Sequence, residues 1–406
     1  MKILFVAPFS PLPCISEEHA RILNLVRELV KWGHQVHYAV LNAGASPMDA
    51  LDDLEREVGG GGVYEISVSP AREPLAKSAW RGALRLIRLK GGYRLPLDHL
   101  YDRSATGYLR SLHERVIFGA VIVEYVFLSR AFEAFDPNVF RILDTLHVFE
   151  DRHKKFLKAG KRPSGFSTSP RQEAIGLRRA DVVLASQGED ERLLRRRLAG
   201  DGERVRTLGH FVDLSRRIEP TGVPLAGFIG KLDTESVASL DFLLRQVVPR
   251  VREHRPDFRL LVAGPVAGRV RKMKGVEAVD LDDSADLYAR APLSLIPTVV
   301  SLGNSIGLLE AMASGVPSVS TEKGVRCLGP GLRRGVRTVR DNDADAFAAA
   351  ILELLADPAR CRRMGADAYA DAAAWNAEQR AVLQEVLEHA SQLHFGARGR
   401  RDRAAF

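Results

Sequence analysis

Cysteine is scarce in this sequence, and its few copies are poorly placed for structural chemistry. The 406 residues include only Cys14, Cys327 and Cys361, and none of them belongs to a CxxC motif or stands at ligand spacing from a histidine. A small secreted disulfide scaffold and a structural zinc site both depend on clustered cysteines. The sequence therefore predicts neither a disulfide framework nor a metal site.

Long hydrophobic runs are also missing. The longest stretch without charge, residues 291–309, is interrupted by Pro297, Asn304 and two glycines, so we expect no transmembrane helix there. The amino terminus, "MKILFVAPFSPLP", has a short apolar run broken by prolines, which is typical of a first β-strand rather than a signal peptide. The expected location is the cytoplasm, with peripheral attachment to the inner membrane face left open.

Acidic residues are outnumbered by basic ones. Lysine and arginine total 59 against 51 aspartates and glutamates, which gives a formal net charge of +8. This balance favours anionic partners such as phosphorylated molecules or anionic lipids. No nucleic-acid-binding motif accompanies the charge, so we expect no nucleic-acid partner. A length of 406 residues with 46% hydrophobic residues suits two globular domains rather than one.

The first part of the chain alternates strand and helix patterns. "KILFVAP" is a buried-strand pattern, "EEHARILNLVRELVKWGHQ" is an amphipathic helix ending near Gly33, and "QVHYAVL" is a second strand. This order indicates a βαβ unit with parallel strands. Further strands are predicted in "AVIVEYVFL" (120–128), "RILDTLH" (141–147) and "ADVVLASQ" (180–187). Residues 1–215 are thus predicted to form a Rossmann-like, doubly wound domain.

The same alternation restarts after a linker-like segment at 207–224. "LAGFIGKLD" begins a second set of strands that continues with "FRLLVAGP", "VEAVDL", "LSLIP" and "PSVST". Residues 216–375 are predicted to be a second Rossmann-like domain. Residues 376–406 are predicted to be a helix, which could pack back on the first domain, followed by a disordered basic tail. The fold class is therefore α/β, with two doubly wound domains facing each other across a cleft.

One basic amphipathic segment, residues 78–103, carries Trp80, Tyr93 and Tyr101 among arginines and lysines. Such a segment is often simply a solvated helix and loop. Alternatively, it could contact an anionic membrane surface or an acceptor molecule.

Candidate site residues follow from the rule that doubly wound sheets bind ligands beyond the carboxyl ends of their strands. The corresponding loops contain Ser16, Glu124, Tyr125, Asp144, His147, Gly230, Lys231, Gly264 and the turn "SLGNS" at 301–305. That turn precedes a helix, whose free N–H groups can bind a phosphate, and Gly303 would allow close approach. Asn304 or Ser305 could equally be a simple helix cap. Glu310, within the apolar helix that follows, is either a solvent-facing residue or a partner for ribose hydroxyls.

The segment "LLEAMASGVPSVST" resembles the "EAMAxGxPV" signature of retaining GT-B glycosyltransferases of the large family 4 (group 1). Other segments resemble that family in the same order, among them "KILFVAPFSPLP", "GHQVHYAV", "GFIGKLD", "RPDFRLLVAGP" and "SADLYARAPLSLIP". The resemblance covers most of residues 1–375.

This resemblance implies metal-independent sugar transfer from a nucleotide-diphosphate sugar, used as a co-substrate without any cofactor, to a glycan, glycolipid or small-molecule acceptor. It implies that Glu310 holds the ribose, that Ser301, Gly303, Asn304 and Ser305 hold the diphosphate with Gly230 and Lys231, and that Gly264 and Leu281 lie near the base. His147 would stand near the reacting sugar, with Asp144 orienting it or contacting the acceptor. Ser16, Glu124 and Tyr125 would line the acceptor site.

The sequence departs from the family pattern at three places, one of which is the first loop, where "CISEE" (14–18) replaces the usual Gly-Gly turn. Leu302 stands where many relatives carry a first glutamate, and Val237 stands near the place of a usual lysine. These departures leave two alternatives open. One is a non-catalytic GT-B protein that binds a nucleotide sugar or a partner, and the other is a UDP-sugar 2-epimerase on the same fold.

Overall fold

The computed structural model describes residues 1–14, 17–42, 48–68, 92–158, 163, 165–219, 223–270, 273–281, 284–299 and 306–404. Its contacts divide the chain into a first unit, Met1–His210 with Ala381–Phe406, and a second unit, Phe211–Arg380. Each unit contains one sheet in which every strand pairing is parallel.

The sheet of the first unit has the strand order β3-β2-β1-β4-β5-β6-β7 among the described residues. Its strands are β1 Lys2–Ala7, β2 Gln35–Asn42, β3 Val63–Ser67, β4 Ala120–Glu124, β5 Phe140–Asp144, β6 Val182–Ala185 and β7 Val205–Thr207. The helices are α1 Glu17–Lys31, α2 Met48–Glu57, α3 Ser104–Val116, α4 Arg152–Lys158, α5 Pro170–Leu177 and α6 Gly188–Leu198. The central strands are buried because helices cover both faces of a parallel sheet.

The sheet of the second unit repeats this winding in the order β10-β9-β8-β11-β12-β13. Its strands are β8 Leu225–Ile229, β9 Arg259–Ala263, β10 Val276–Ala278, β11 Ser294–Ile296, β12 Ser318–Thr321 and β13 Val336–Val339. The helices are α7 Thr234–Phe242, α8 Val248–His254, α9 Ser284–Arg290, α10 Ile306–Ala313, α11 Ala344–Ala356 and α12 Pro358–Ala404. The expected class, α/β with two Rossmann-like sheets, is confirmed.

Two sequence-based expectations about element ends are wrong. The strand predicted over 120–128 stops at Glu124, because Tyr125 adopts a φ of 67° and a 3₁₀ helix, Val126–Ala134, follows. The helix predicted from 376 is part of the long helix α12, which starts at Pro358 and continues to Ala404 through the tail expected to be disordered. Alanine and arginine favour helix, and no proline interrupts this stretch.

In both sheets the chain winds outward from a central pair of strands. β1 and β4 are neighbours in the first unit, as are β8 and β11 in the second, and the strand order runs in opposite directions from each pair. Such a switch point leaves a crevice at the carboxyl ends of the central strands, where ligands of doubly wound sheets bind.

Candidate functional site

Several predicted site residues lie outside the described residues. These are Ser16, Ser301, Gly303, Asn304 and Ser305, together with residues 78–91 of the basic segment. The remaining predicted residues lie at the carboxyl ends of strands or on α10, and they form one group in each unit.

A buried cluster of charged residues stands at the switch point of the first unit. Asp144 ends β5, is fully buried, and accepts two hydrogen bonds of 3.0 Å from the Arg21 guanidinium of α1. Glu124 ends β4 directly opposite Asp144 in the sheet register. The Glu124 carboxyl is also fully buried, and neither of its oxygens has a hydrogen-bond partner among the described residues.

The protonation of Glu124 follows from this environment. Burial raises the pKa of Glu124 well above its usual value, the neighbouring Asp144 charge raises it further, and Arg21 only partly opposes them. The Glu124 carboxyl, buried beside the Arg21–Asp144 ion pair, is therefore harder to ionise than an exposed glutamate. Because both carboxyls are inaccessible in this conformation, their predicted contacts with an acceptor stay predictions.

Tyr125 and His147 follow these strands. The Tyr125 amide donates to the Asp144 carbonyl at 2.9 Å, and its ring stacks on Phe127 with centroids 5.1 Å apart. Burial, with the charges of Glu18 and Glu124, raises the pKa of Tyr125. The His147 side chain is 39% exposed, and its Nε2 lies 3.2 Å from the Glu18 carboxylate. The hydrogen bond of the His147 ring thus goes to Glu18 of α1, whereas Asp144 pairs with Arg21.

A third buried carboxyl supports the loop that carries His147. Glu173 of α5 is fully buried and accepts a 2.8 Å hydrogen bond from the Phe149 amide. Burial raises the pKa of Glu173 to about 7, although the hydrogen bond from Phe149 opposes the shift.

Four histidines of the first unit are buried among the described residues, and two of them, His153 and His210, lie near the predicted acceptor side. Burial and the charge of Arg21 lower the pKa of His210 to about 3, so this ring is neutral at physiological pH. His153 lies 2.8 Å from the Ser167 hydroxyl through Nδ1 and stacks on Tyr93. Their burial distinguishes them from His147, which is accessible to a substrate.

The described part of the basic segment, residues 92–103, packs into the first unit. Tyr101 is buried, Arg94 pairs with Asp151, and Asp98 accepts hydrogen bonds from Arg179. The aromatic side chains of this part therefore contact protein instead of forming an exposed membrane-facing row. No helix in the described part of the chain is long and apolar enough to cross a membrane.

In the second unit, two glycine turns interlock beyond β8 and β9. Gly264 has a φ of +76°, and a Cβ at that position would lie 2.6 Å from the Gly230 carbonyl oxygen. Gly230 itself leaves no room for a side chain, because a Cβ would meet Ser236 at 2.8 Å. The Ser236 hydroxyl accepts the Lys231 amide at 3.1 Å. Only glycine permits both backbones to come this close.

Glu310 lies on the one face of α10 that packing does not bury. Every residue of this eight-residue helix is buried except Gly307 and Glu310, which are half-buried and share a face at i, i+3 spacing. A Cβ on Gly307 would point at Ile229, the last residue of β8, at 3.7 Å. The buried Tyr288 hydroxyl donates to the Gly307 carbonyl at 3.0 Å, and burial with the Glu310 charge raises the pKa of Tyr288.

The structure therefore brings Gly230, Gly264 and the open face of α10 to the end of β8. Leu281 packs on the apolar cluster that includes Ala311 of α10 and Ile229. Among the described residues, no group of three or more His, Cys, Asp and Glu side chains is arranged to hold a metal ion.

A comparison with known protein families finds a match within the second unit. Residues 223–357 match the family model described as glycosyl transferases group 1. Sucrose-phosphate synthase from Thermosynechococcus elongatus superposes with a TM-score of 0.63 at 16% sequence identity, covering 100% of both chains. A mutant of TarM from S. aureus, in complex with fondaparinux, alpha-GlcNAc-glycerol and UDP, has a TM-score of 0.66 at 11% identity, covering 96% of this chain and 99% of its own.

The fold is GT-B. Another GT-B structure, Anabaena Alr3699/HepE in complex with UDP-glucose, has a TM-score of 0.60 at 12% identity and covers 97% of this chain and 100% of its own. No curated protein sequence matches the chain.

Sequence reasoning missed two side chains that pair with predicted site residues. Glu18 and Arg21 belong to α1, which the sequence marks only as an amphipathic helix, yet they pair with His147 and Asp144. The signal available was their position: both lie in the first turns of the helix that follows β1, next to the switch point.

Proposed function

We infer that this protein is a glycosyltransferase that moves a sugar from a nucleotide-diphosphate sugar to a glycan, glycolipid or small-molecule acceptor. The observation that carries this proposal is the coincidence of the glycosyl transferases group 1 segment, 223–357, with the glycine turns and open helix face at the end of β8. The alternation of two doubly wound sheets in one chain supports it.

The donor is proposed to bind the second unit. The backbone of Gly230 and Gly264 and the cation of Lys231 would face the diphosphate, and Glu310 would accept hydrogen bonds from the ribose hydroxyls. Departure of the nucleotide diphosphate develops negative charge, which a lysine positioned beforehand would stabilise without reorganisation. On this basis we propose transfer with retention of anomeric configuration and without a metal ion.

The acceptor is proposed to bind the first unit beside His147. The accessible His147 ring, hydrogen-bonded to Glu18, can exchange a proton with an acceptor hydroxyl. The buried Glu124 carboxyl and the buried Arg21–Asp144 ion pair stand at the ends of β4 and β5, and His147 follows the end of β5. We propose a cytoplasmic location. Attachment to the inner membrane face stays a prediction, because residues 78–91 lie outside the described residues and residues 92–103 pack into the first unit.

A binding and turnover series tests the proposal. The full chain is screened for thermal stabilisation by UDP-, GDP- and ADP-sugars, and the strongest binder is incubated with and without acceptors while nucleoside diphosphate release is measured. We expect acceptor-dependent release and an α- or β-product whose configuration, read by NMR, equals that of the donor.

Each alternative has its own outcome in this series. Binding without any turnover would indicate the non-catalytic reading, and a sugar altered at C2 would indicate an epimerase. The absence of binding to every nucleoside diphosphate would contradict the proposal. Glu310→Ala should weaken binding, and unchanged affinity would remove Glu310 from the site.

A further inference from the structure

Lys323 lies just beyond the end of β12, where its ammonium group is held in a defined place. Its Nζ donates to the Val299 carbonyl at 3.2 Å and lies 3.3 Å from the Asp341 carboxylate. The Lys323 backbone amide donates to the same carboxylate at 3.0 Å. The side chain is 33% exposed, so a ligand can reach it.

The sheet topology shows where this cation stands. β11 pairs with β12 through Ile296 and Ser320, and continuing that register sets Val299 opposite Lys323. Neighbouring strands are about 4.8 Å apart. Because the Lys323 side chain extends to the Val299 carbonyl, its ammonium group lies at the end of β11 and not at the end of β12. β11 and β8 flank the switch point of this sheet, where ligands of doubly wound folds bind.

The turn that carries Lys323 is pressed against the end of β11. A Cβ on Gly324 would lie 2.3 Å from the Ser320 hydroxyl and 3.2 Å from the Ile296 carbonyl, so only glycine fits without moving this turn. The Thr321 hydroxyl donates to the Thr298 carbonyl at 3.1 Å. These contacts hold the turn in place, so that the lysine is positioned before any ligand arrives.

We propose that Lys323 binds the diphosphate of the donor as a second cation in addition to Lys231. The inference rests on the proposed function. Without a nucleotide, the Val299 carbonyl and Asp341 hold the ammonium. When a diphosphate binds, one of its oxygens replaces the neutral carbonyl as the hydrogen-bond acceptor, which strengthens the contact because the acceptor is then charged.

Calorimetric titration of the full chain with UDP and with uridine tests this role. Lys323→Met removes the charge, and Lys323→Arg keeps it. Lys274→Met is the matched control, because Lys274 is exposed and precedes β10, at the opposite edge of the same sheet. We expect Lys323→Met to weaken UDP about tenfold or more, the usual size of a lost charged hydrogen bond, and to leave uridine affinity within about twofold. Lys323→Arg and the control should keep wild-type UDP affinity.

Asp341→Asn separates phosphate binding from a merely structural tie. Asparagine keeps an oxygen for the Lys323 amide but releases the ammonium from its ion pair, so UDP affinity should be maintained or rise. The proposal is overturned if Asp341→Asn reproduces the loss seen in Lys323→Met, if Lys323→Met weakens UDP and uridine equally, or if it matches the Lys274→Met control. If the wild-type protein prefers GDP or ADP, that diphosphate and its nucleoside replace UDP and uridine in the titration. Wild-type protein that binds none of UDP, GDP and ADP would refute the proposed function itself, and the role of Lys323 with it.

Discussion

The buried carboxyl of Glu173 should make the stability of the first unit fall as pH rises. Its pKa is about 7 in the folded protein, against an ordinary value of 4.5, because burial disfavours the charged form. The native state thus binds more protons than the unfolded state between these two values. The stabilisation is complete below pH 4.5 and lost by about pH 7. With about 1.4 kcal/mol for each pH unit between the two values, the loss is about 3 kcal/mol.

Glu173→Gln removes this titration and keeps an oxygen that can accept the Phe149 amide. We expect the wild-type melting temperature to fall by about 6–12 °C more than that of the variant between pH 4.5 and 8, since 1 kcal/mol corresponds to about 2–4 °C in a domain of this size. Differential scanning calorimetry at a series of pH values gives both curves. The comparison cancels the titration of all other groups.

Glu189→Gln is the matched control, because Glu189 is an exposed carboxyl of the same unit. Its curve should run parallel to that of the wild type. If the Glu173→Gln curve also runs parallel to the wild type, Glu173 does not titrate differently in the folded protein, and the reasoning from its burial is refuted.

Three further perturbations test the two sites. Asp144→Asn should lower the free energy of unfolding by less than the 3–5 kcal/mol typical of breaking a buried ion pair, because Glu124 can ionise beside Arg21. In urea unfolding, the double variant with Glu124→Gln should lose more free energy of unfolding than the sum of the two single variants, and strict additivity would contradict this. Gly264→Ala should destabilise the second unit by about 1–3 kcal/mol in thermal melts, while Gly268→Ala, which meets open space, should not. His147→Gln should lower turnover by about 100-fold or more without changing UDP affinity, and retained turnover would assign His147 a structural role.

The sequence predicts the strands of this protein better than their ends or their partners. Apolar runs such as Ile3–Ala7 mark buried parallel strands, because both faces of such a strand must be covered. The short strands β3, β7 and β13 were missed, since three to five residues carry little periodicity. The end of β4 depends on the positive φ of Tyr125, a conformation that a tyrosine in the sequence does not predict.

The sequence predicts where the candidate site residues lie in the sheets but not which side chains pair with them. The rule that ligands bind beyond the carboxyl ends of strands selects Glu124, Asp144, Gly230 and Gly264, and the structure has each of them at or directly after such an end. The partners Arg21 and Glu18 could not be assigned, because they depend on how α1 is rotated over the sheet after its crossover. Lys323 was missed for a similar reason: its role comes from a long side chain that reaches the neighbouring strand.

Helix α10, in which only Gly307 and Glu310 are not buried, offers a way to separate selection for function from selection for folding. Six of its eight positions are buried, so substitutions there will destabilise the fold and be selected against whatever the protein does. Gly307 and Glu310 are the two positions whose tolerance core packing does not dictate. A saturation library can be sorted first for abundance and then for activity. Variants at Glu310 that remain abundant but are inactive would show that this residue is needed for ligand binding and not for folding. The six buried positions would lose both together.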